Sequence, residues 1–372
     1  MLKIAFIGWR GMVGSVLMER MRQERDFNRN FEPVFFSTSN VGGKGPDIGK
    51  DIPSLQDAYN IKLLSSFDIV VTCQGSEYTK RVYPQLIEAG WKGYWIDSAS
   101  ALRMQDESII VLDPVNKKVI DNGLLSGIKT YVGGNCTVSL MLMALSGLFD
   151  YDLVDWISSM TYQAASGAGA KHMIELVKQM IFVSEPCKDL VNNPAMTAIF
   201  IDKILTQRLR DHNIPSNNFG VPLIASLIPW IDSPVTDGQT REEWKGFVET
   251  NKILQKDKPI PVDGICVRVG SMRCHSQAFT IKLKKEIPLV DIEEIIKNGN
   301  QWVRFIPNEK EITIKYLTPA AVSGTLDIAI GRVRKMKLGQ KYVAAFTVGD
   351  QLLWGAAEPI RRVLNIIIDY LD

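Results

Sequence analysis

An α/β fold in two parts is predicted by three features of the sequence. Strand and helix patterns alternate from the N-terminus to residue 134, a glycine-punctuated turn follows the first strand, and beyond it the strands change to an apolar–polar alternation. A chain of 372 residues also exceeds what one hydrophobic core usually organises. The first domain is expected to cover residues 1–134 together with 355–372, and the second residues 135–354.

Leu2 to Gly8 is a short apolar, partly β-branched run ending at glycine, the pattern of a buried parallel strand. Gly8, Gly11 and Gly14 punctuate the turn after it, and Met12, Val13, Val16, Leu17 and Met21 then fall at helical spacing. Further strands are predicted at Pro33 to Thr38, Phe67 to Cys73, Gly93 to Asp97 and Ile109 to Leu112, with a helix over Thr79 to Ala89. Such alternation describes a doubly wound parallel sheet of the Rossmann type. Tight-turn geometry alone would explain the glycines, but their place between the first strand and an amphipathic helix is where a dinucleotide pyrophosphate binds.

The end of the second strand selects the cofactor. An NAD site of this type expects an acidic residue there to hold the ribose hydroxyls. This chain has Ser37, Thr38 and Ser39 instead, with Arg10 in the glycine loop, a set suited to a 2′-phosphate. NADP is therefore expected rather than NAD.

Gly133 to Thr137 opens the second part by delivering a cysteine to the start of an apolar run. Asn135 is a good N-cap, so Cys136 is predicted in the first helical turn, where free N–H groups and the helix dipole favour a thiolate. That makes Cys136 the candidate nucleophile, although a free cysteine also packs as a small apolar residue. Trp156 to Ala165 then reads as a strand, Ser166 to Gly169 as a loop and the segment from Lys171 as a helix. Pro261 to Val269, Gln277 to Leu283 and Glu311 to Tyr316 read as strands of a mixed or antiparallel sheet, and Gly355 to Leu371 as a helix returning to the first domain.

A thiolate nucleophile needs a base, and the histidines are His172, His212 and His275. His275 is the candidate, placed just after a strand among polar residues, whereas His172 and His212 fall in solvated segments. Composition excludes other classes. With 46% apolar and 23% charged residues and a net charge of +2, neither nucleic acid nor an acidic partner is indicated. The most apolar run, Leu140 to Phe149, is half of a membrane span, so a cytoplasmic protein is expected. Its five cysteines are scattered without a CxxC pair, so neither a disulfide framework nor a metal site is expected.

Gly8 to Gly14, Gly134 to Thr137, Tyr162 to Gly167, Arg241 to Gly246 and Arg268 to His275 together resemble aspartate-β-semialdehyde dehydrogenase in its longer bacterial form. The resemblance implies an NADP-binding Rossmann domain and an α+β catalytic and dimerisation domain with a mixed sheet. It also implies reversible reductive dephosphorylation of β-aspartyl phosphate to aspartate β-semialdehyde through a Cys136 thioester. This reaction supplies diaminopimelate, lysine, methionine, threonine and isoleucine biosynthesis. In that reading His275 is the acid/base and Gln163 orients the intermediate; Arg268 forks onto the α-carboxylate and Glu242 holds the ammonium group. Asn135 adds a substrate contact, and Arg103 with Lys245 binds phosphate. The expected cofactor set is Gly8, Arg10, Gly11, Met12, Val13, Gly14, Ser37, Thr38, Ser39, Gln74, Ser166, Gly167 and Gln351. A homodimer is implied. Two other readings compete: a related acyl-phosphate reductase, such as one acting on N-acetyl-γ-glutamyl phosphate, and a protein that senses NADP without catalysis.

Overall fold

Ile4 to Ile7 are buried on both sides, which places Leu2–Ile7 (β1) at the centre of the first sheet. The structure is a computed structural model and describes residues 1–372. Around β1 lie Phe31–Ser37 (β2), Gln56–Asp57 (β3), Ile69–Thr72 (β4), Tyr94–Asp97 (β5), Ser108–Val111 (β6) and Thr130–Gly133 (β7). These seven strands run parallel in the order β3-β2-β1-β4-β5-β7-β6, so the winding reverses between β1 and β4. Ligands of doubly wound sheets bind at such a reversal.

The C-terminal helix, Glu358–Leu371, packs on this sheet. Its Ile360, Val363, Leu364, Ile367 and Ile368 recur at i, i+3, i+4, i+7 and i+8 and share a core with Ile4, Phe6 and Ile96. Arg361 secures the contact through Asp26 at 2.6 Å and is itself held by Glu358 of the same helix at 2.8 Å.

Eight strands form the second sheet: Val154–Gln163 (β8), Leu227–Ile228 (β9), Val262–Asp263 (β10), Cys266–Val269 (β11), Cys274–Leu283 (β12), Val303–Phe305 (β13), Ile328–Met336 (β14) and Gly339–Asp350 (β15). The order is β13-β14-β15-β12-β8-β11-β9 with β10 also on β8, and the pairing is mixed, as the sequence predicts. The helix Cys136–Asp150 is apolar nearly all round because it is covered on every side, with Leu140, Leu142 and Leu145 in one core with Ile157, Ile281 and Val343.

Three strand predictions change. Glu311 to Tyr316 is not a strand but part of a helix, Lys310–Tyr316. Ile312 packs toward Ile306, Leu317 and Val322 while Ile314 and Tyr316 stay exposed, so tertiary packing overrides a β-branched alternation. Pro261 to Val269 divides into β10 and β11 at Gly264, where an added Cβ would lie 2.6 Å from the Ser159 carbonyl carbon. His275 stands within β12 rather than after a strand. No helix is long and apolar enough to cross a membrane.

Candidate active site

Cys136 begins its helix directly after β7 and the Gly134–Asn135 turn. Asn135 caps the helix, its Oδ1 accepting from the N–H groups of Thr137 at 3.0 Å and Val138 at 3.2 Å. The turn before the C-terminal helix presses against the cysteine: a Cβ on Gly355 would lie 2.8 Å from that of Cys136.

Sheet pairing brings the partners together. Arg268 on β11 is in register with Gln163 on β8, and Ser276 on β12 with Tyr162, so Gln163, Arg268 and His275 emerge at one end of three neighbouring strands. The His275 ring is wholly buried, with Nε2 at 3.2 Å from Cys136 Sγ and Nδ1 accepting from the Ala164 N–H at 3.0 Å. Arg268 donates to the Ala164 carbonyl at 2.8 Å. Gly167 leaves room for both side chains, since a Cβ would fall 2.8 Å from Arg268 Nη1 and 3.0 Å from the His275 ring.

The helix Arg241–Leu254, started by a Thr240–Glu243 capping box, supplies the charges. Glu242 accepts from Asn135 Nδ2 at 2.9 Å, Gln163 Nε2 at 3.2 Å and Lys245 Nζ at 3.0 Å. Arg103 is tied to the Gly133 carbonyl at 2.6 Å and to Glu249 at 3.2 Å. Arg103, Asn135, Cys136, Gln163, Glu242, Lys245 and Arg268 all line one cleft of about 560 Å³. It carries both signs of charge, as a zwitterionic substrate with a phosphate requires.

The expected thiolate is not favoured in this environment. Burial and the Glu242 carboxylate push the Cys136 thiol up to about 12, and Arg268, Lys245 and Arg103 offset only part of that. Desolvation and Glu242 thus act against the helix N-terminus. Burial, aided by Arg268, holds His275 down at about 3, so its ring is neutral at physiological pH. Burial would raise Glu242, but attraction to Lys245 and hydrogen bonds from Asn135, Lys245 and Gln163 prevail and keep it ionised. A raised thiol pKa leaves little thiolate at neutrality. Alkylation of Cys136 by iodoacetamide is therefore expected to accelerate about tenfold per pH unit between about pH 7 and about pH 9, followed on its peptide by mass spectrometry. A plateau already at neutral pH would mean the thiolate is preformed.

A second cavity of about 470 Å³ opens at the β1–β4 reversal, lined by Gly8, Arg10, Gly11, Ser37, Thr38, Ser39 and Gln74. Gly8 has φ +75°, and a Cβ on it would lie 2.5 Å from the Gln74 nitrogen, so the backbone cradle admits only glycine. A Cβ on Gly14 would lie 2.6 Å from Trp9 Cα, which makes it a close-packing glycine. Arg10 reaches Ser37 Oγ at 3.3 Å and Ser39 Oγ at 3.4 Å, and Gln74 Nε2 reaches Thr38 Oγ1 at 3.4 Å. No carboxylate lines this cavity, so the residues fit a 2′-phosphate. Met12 and Val13 pack against the core of the first sheet; Val13, Gly167 and Gln351 also line the cleft beside Cys136, and Gln351 donates to Ser166 Oγ at 2.7 Å. Thr38→Asp is expected to weaken NADP binding far more than NAD binding by repelling that phosphate. Equal loss of both, measured by equilibrium titration, would remove this strand end as the discriminator.

Sequence reasoning missed three participants. Asp232 Oδ2 pairs with Lys245 Nζ at 2.9 Å inside the cleft. Glu249 accepts from the Asn135 N–H at 2.6 Å while holding Arg103. The Ala164 main chain bridges His275 and Arg268. Only Glu249 left a local signal: it lies seven residues after Glu242, on the same helix face.

Two family profiles match separate stretches of the chain. The profile of the semialdehyde dehydrogenase NAD-binding domain matches residues 3–123, and that of the semialdehyde dehydrogenase dimerisation domain matches residues 145–354. A solved aspartate semialdehyde dehydrogenase from Francisella tularensis is 52% identical, covering 99% of this chain and 100% of that one, with a TM-score of 0.93. Aspartate semialdehyde dehydrogenase II of Vibrio cholerae, complexed with ASA, shares the fold at 24% identity and a TM-score of 0.79, over 99% of this chain and 98% of that one. The enzyme of Candida albicans with NADP shares it at 14% identity and a TM-score of 0.61, over 97% of each chain.

Proposed function

Because the chain belongs to the semialdehyde dehydrogenase family, we propose that it reduces β-aspartyl phosphate to aspartate β-semialdehyde, reversibly and with NADP. The observation that carries this reading is the Cys136–His275 contact at 3.2 Å in a cleft that also presents Arg268, Glu242, Arg103 and Lys245.

In the reductive direction the Cys136 thiolate attacks the acyl carbon, and the carbonyl oxygen gains charge beside the helix N-terminus. Arg103 and Lys245 hold the phosphate as its bond to that carbon breaks, leaving a thioester on Cys136. NADPH, when bound, supplies hydride to this carbon. The resulting hemithioacetal oxyanion collapses, releasing the semialdehyde and restoring the thiolate. Arg268 matches the α-carboxylate through two parallel N–H donors, and Glu242 matches the ammonium group. Gln163, anchored by Glu242 at 3.2 Å, stands where it orients the acyl group.

Glu242 also separates this reading from reduction of an N-acetylated acyl phosphate, whose nitrogen carries no charge to pair. Intact Cys136 and His275 speak against a protein that only senses NADP. Mixing the protein with aspartate semialdehyde, phosphate and NADP⁺ should generate the reduced-nicotinamide absorbance; silence there, with activity on N-acetylglutamate semialdehyde, would replace this substrate by the acetylated one.

We further assign the chain to diaminopimelate, lysine, methionine, threonine and isoleucine biosynthesis, as a cytoplasmic homodimer. Five unpaired cysteines suit a reducing compartment. Ile174, Ile181, Ile199 and Leu227 leave apolar surface exposed on the second part, an area that a second copy would cover. Residues 1–134 with 355–372 are proposed as the cofactor domain and 135–354 as the catalytic one. Sedimentation at micromolar concentration tests the dimer, and a monomer there would contradict it.

A further inference from the structure

One carboxylate outside the cleft is bonded to two parts of the site at once. Glu249 is 2% exposed and stands on the face of the helix Arg241–Leu254 that also carries Glu242, yet it does not line the cleft. Its Oε1 accepts from Arg103 Nη1 at 3.2 Å and its Oε2 from the Asn135 N–H at 2.6 Å. Arg103 closes the circuit by donating from Nε to the Gly133 carbonyl at 2.6 Å. The turn that delivers Cys136 is thus gripped on both sides of Gly134, at the carbonyl before it by Arg103 and at the N–H after it by Glu249.

Neither contact can stand in for the other. Asn135 is the N-cap, so its N–H lies ahead of the helix and without Glu249 would be a buried donor left unpaired. With Nε and Nη1 of Arg103 engaged by Gly133 and Glu249, the plane of the guanidinium is fixed and Nη2 is left for the cleft that Arg103 lines. A carboxylate places two acceptor atoms on one planar group, whereas a carboxamide has one.

We propose that Glu249 is a positioning residue that ties Arg103 to the turn carrying Cys136, so that the phosphate of the substrate and the sulfur attacking its acyl carbon are held at one fixed separation. The chemistry gives the reason: the nucleophile arrives at, and the phosphate departs from, the same carbon, and an error near 1 Å at such a centre costs about 100-fold in rate. This inference deepens the proposed reaction and rests on it for the part played by phosphate, but not for the link from Arg103 through Glu249 to Asn135.

Glu249→Met removes both acceptors with little change of volume, and two readouts on the full-length protein follow its effect. Without any ligand, hydrogen–deuterium exchange of the Asn135 N–H is expected to accelerate at least about tenfold, the scale of one buried charge-assisted hydrogen bond. During oxidation of aspartate semialdehyde by NADP⁺, KM for inorganic phosphate is expected to rise at least about tenfold, with a smaller change in KM for the semialdehyde. The rise in phosphate KM should largely disappear when Glu249→Met is placed on Arg103→Lys, because Glu249 acts on phosphate only through Arg103. A merely structural role would instead give additive losses. Should Glu249→Met not fold, Glu249→Gln replaces it: its single oxygen serves Asn135 or Arg103 but not both, so at least one of the two readouts must move. Unchanged exchange together with an unchanged phosphate KM, or additivity with Arg103→Lys, would overturn the proposal. If the wild-type protein leaves aspartate semialdehyde untouched, the proposed reaction fails, and the exchange measurement, which contains no substrate, still decides whether Glu249 holds the turn.

Discussion

Cys136→Ser is expected to lower turnover by about 10⁴-fold or more while NADP still binds with near wild-type affinity, and Cys136→Ala to abolish it. The hydroxyl ionises far above neutral pH, and the environment that pushes even the thiol up to about 12 would act on serine as well. Nucleotide affinity should survive because Arg10, Ser37 and Ser39 line a separate cavity at the β1–β4 reversal. Titration of NADPH fluorescence alongside the activity assay separates the two effects. Normal turnover in either variant would refute a covalent role for Cys136.

Arg268→Lys is expected to reduce kcat/KM for aspartate semialdehyde by at least about 100-fold, the scale of loss that a misplacement near 1 Å produces at a reacting centre. Lysine keeps the charge but loses the planar fork that meets a carboxylate with two parallel bonds. Alkylation of Cys136 by iodoacetamide should stay close to wild type, which distinguishes a displaced substrate from a damaged nucleophile. Near-normal kcat/KM would mean that Arg268 does not anchor the carboxylate. His275→Asn is expected to behave differently, lowering kcat with a smaller effect on KM, because its role falls mainly in the transition state.

Much of the site was legible because its signals are local. The glycine turn after β1, the hydroxyl cluster ending β2 and the Asn135 cap before Cys136 each occupy a few consecutive residues whose backbone geometry dictates their type. The alternation of strand and helix likewise foretells five of the seven strands of the first sheet, but not the two-residue β3 or the short β7. What stayed hidden depends on distant partners. Asp232 meets Lys245, Glu249 meets Asn135 and Arg103, and the Ala164 peptide meets His275 and Arg268 only after β8, β11 and β12 align. Sequence alone does not mark the long hairpin β14–β15, and it gives Glu311 to Tyr316 a strand pattern although β13 already forms the edge of the sheet beside β14. The ionisation of Cys136 is hidden for a related reason: the helix start is visible in sequence, whereas the burial and the Glu242 carboxylate that push the thiol up are not.

The central claim is a thioester on Cys136, and withholding phosphate tests it most directly. Rapid mixing of the enzyme with aspartate semialdehyde and NADP⁺ in phosphate-free buffer should give a burst of NADPH equal to the number of active sites. The reaction should then stall, with an aspartyl adduct on the Cys136 peptide that is discharged on adding phosphate. Steady turnover without phosphate, or an absent burst with no adduct on Cys136, would contradict it.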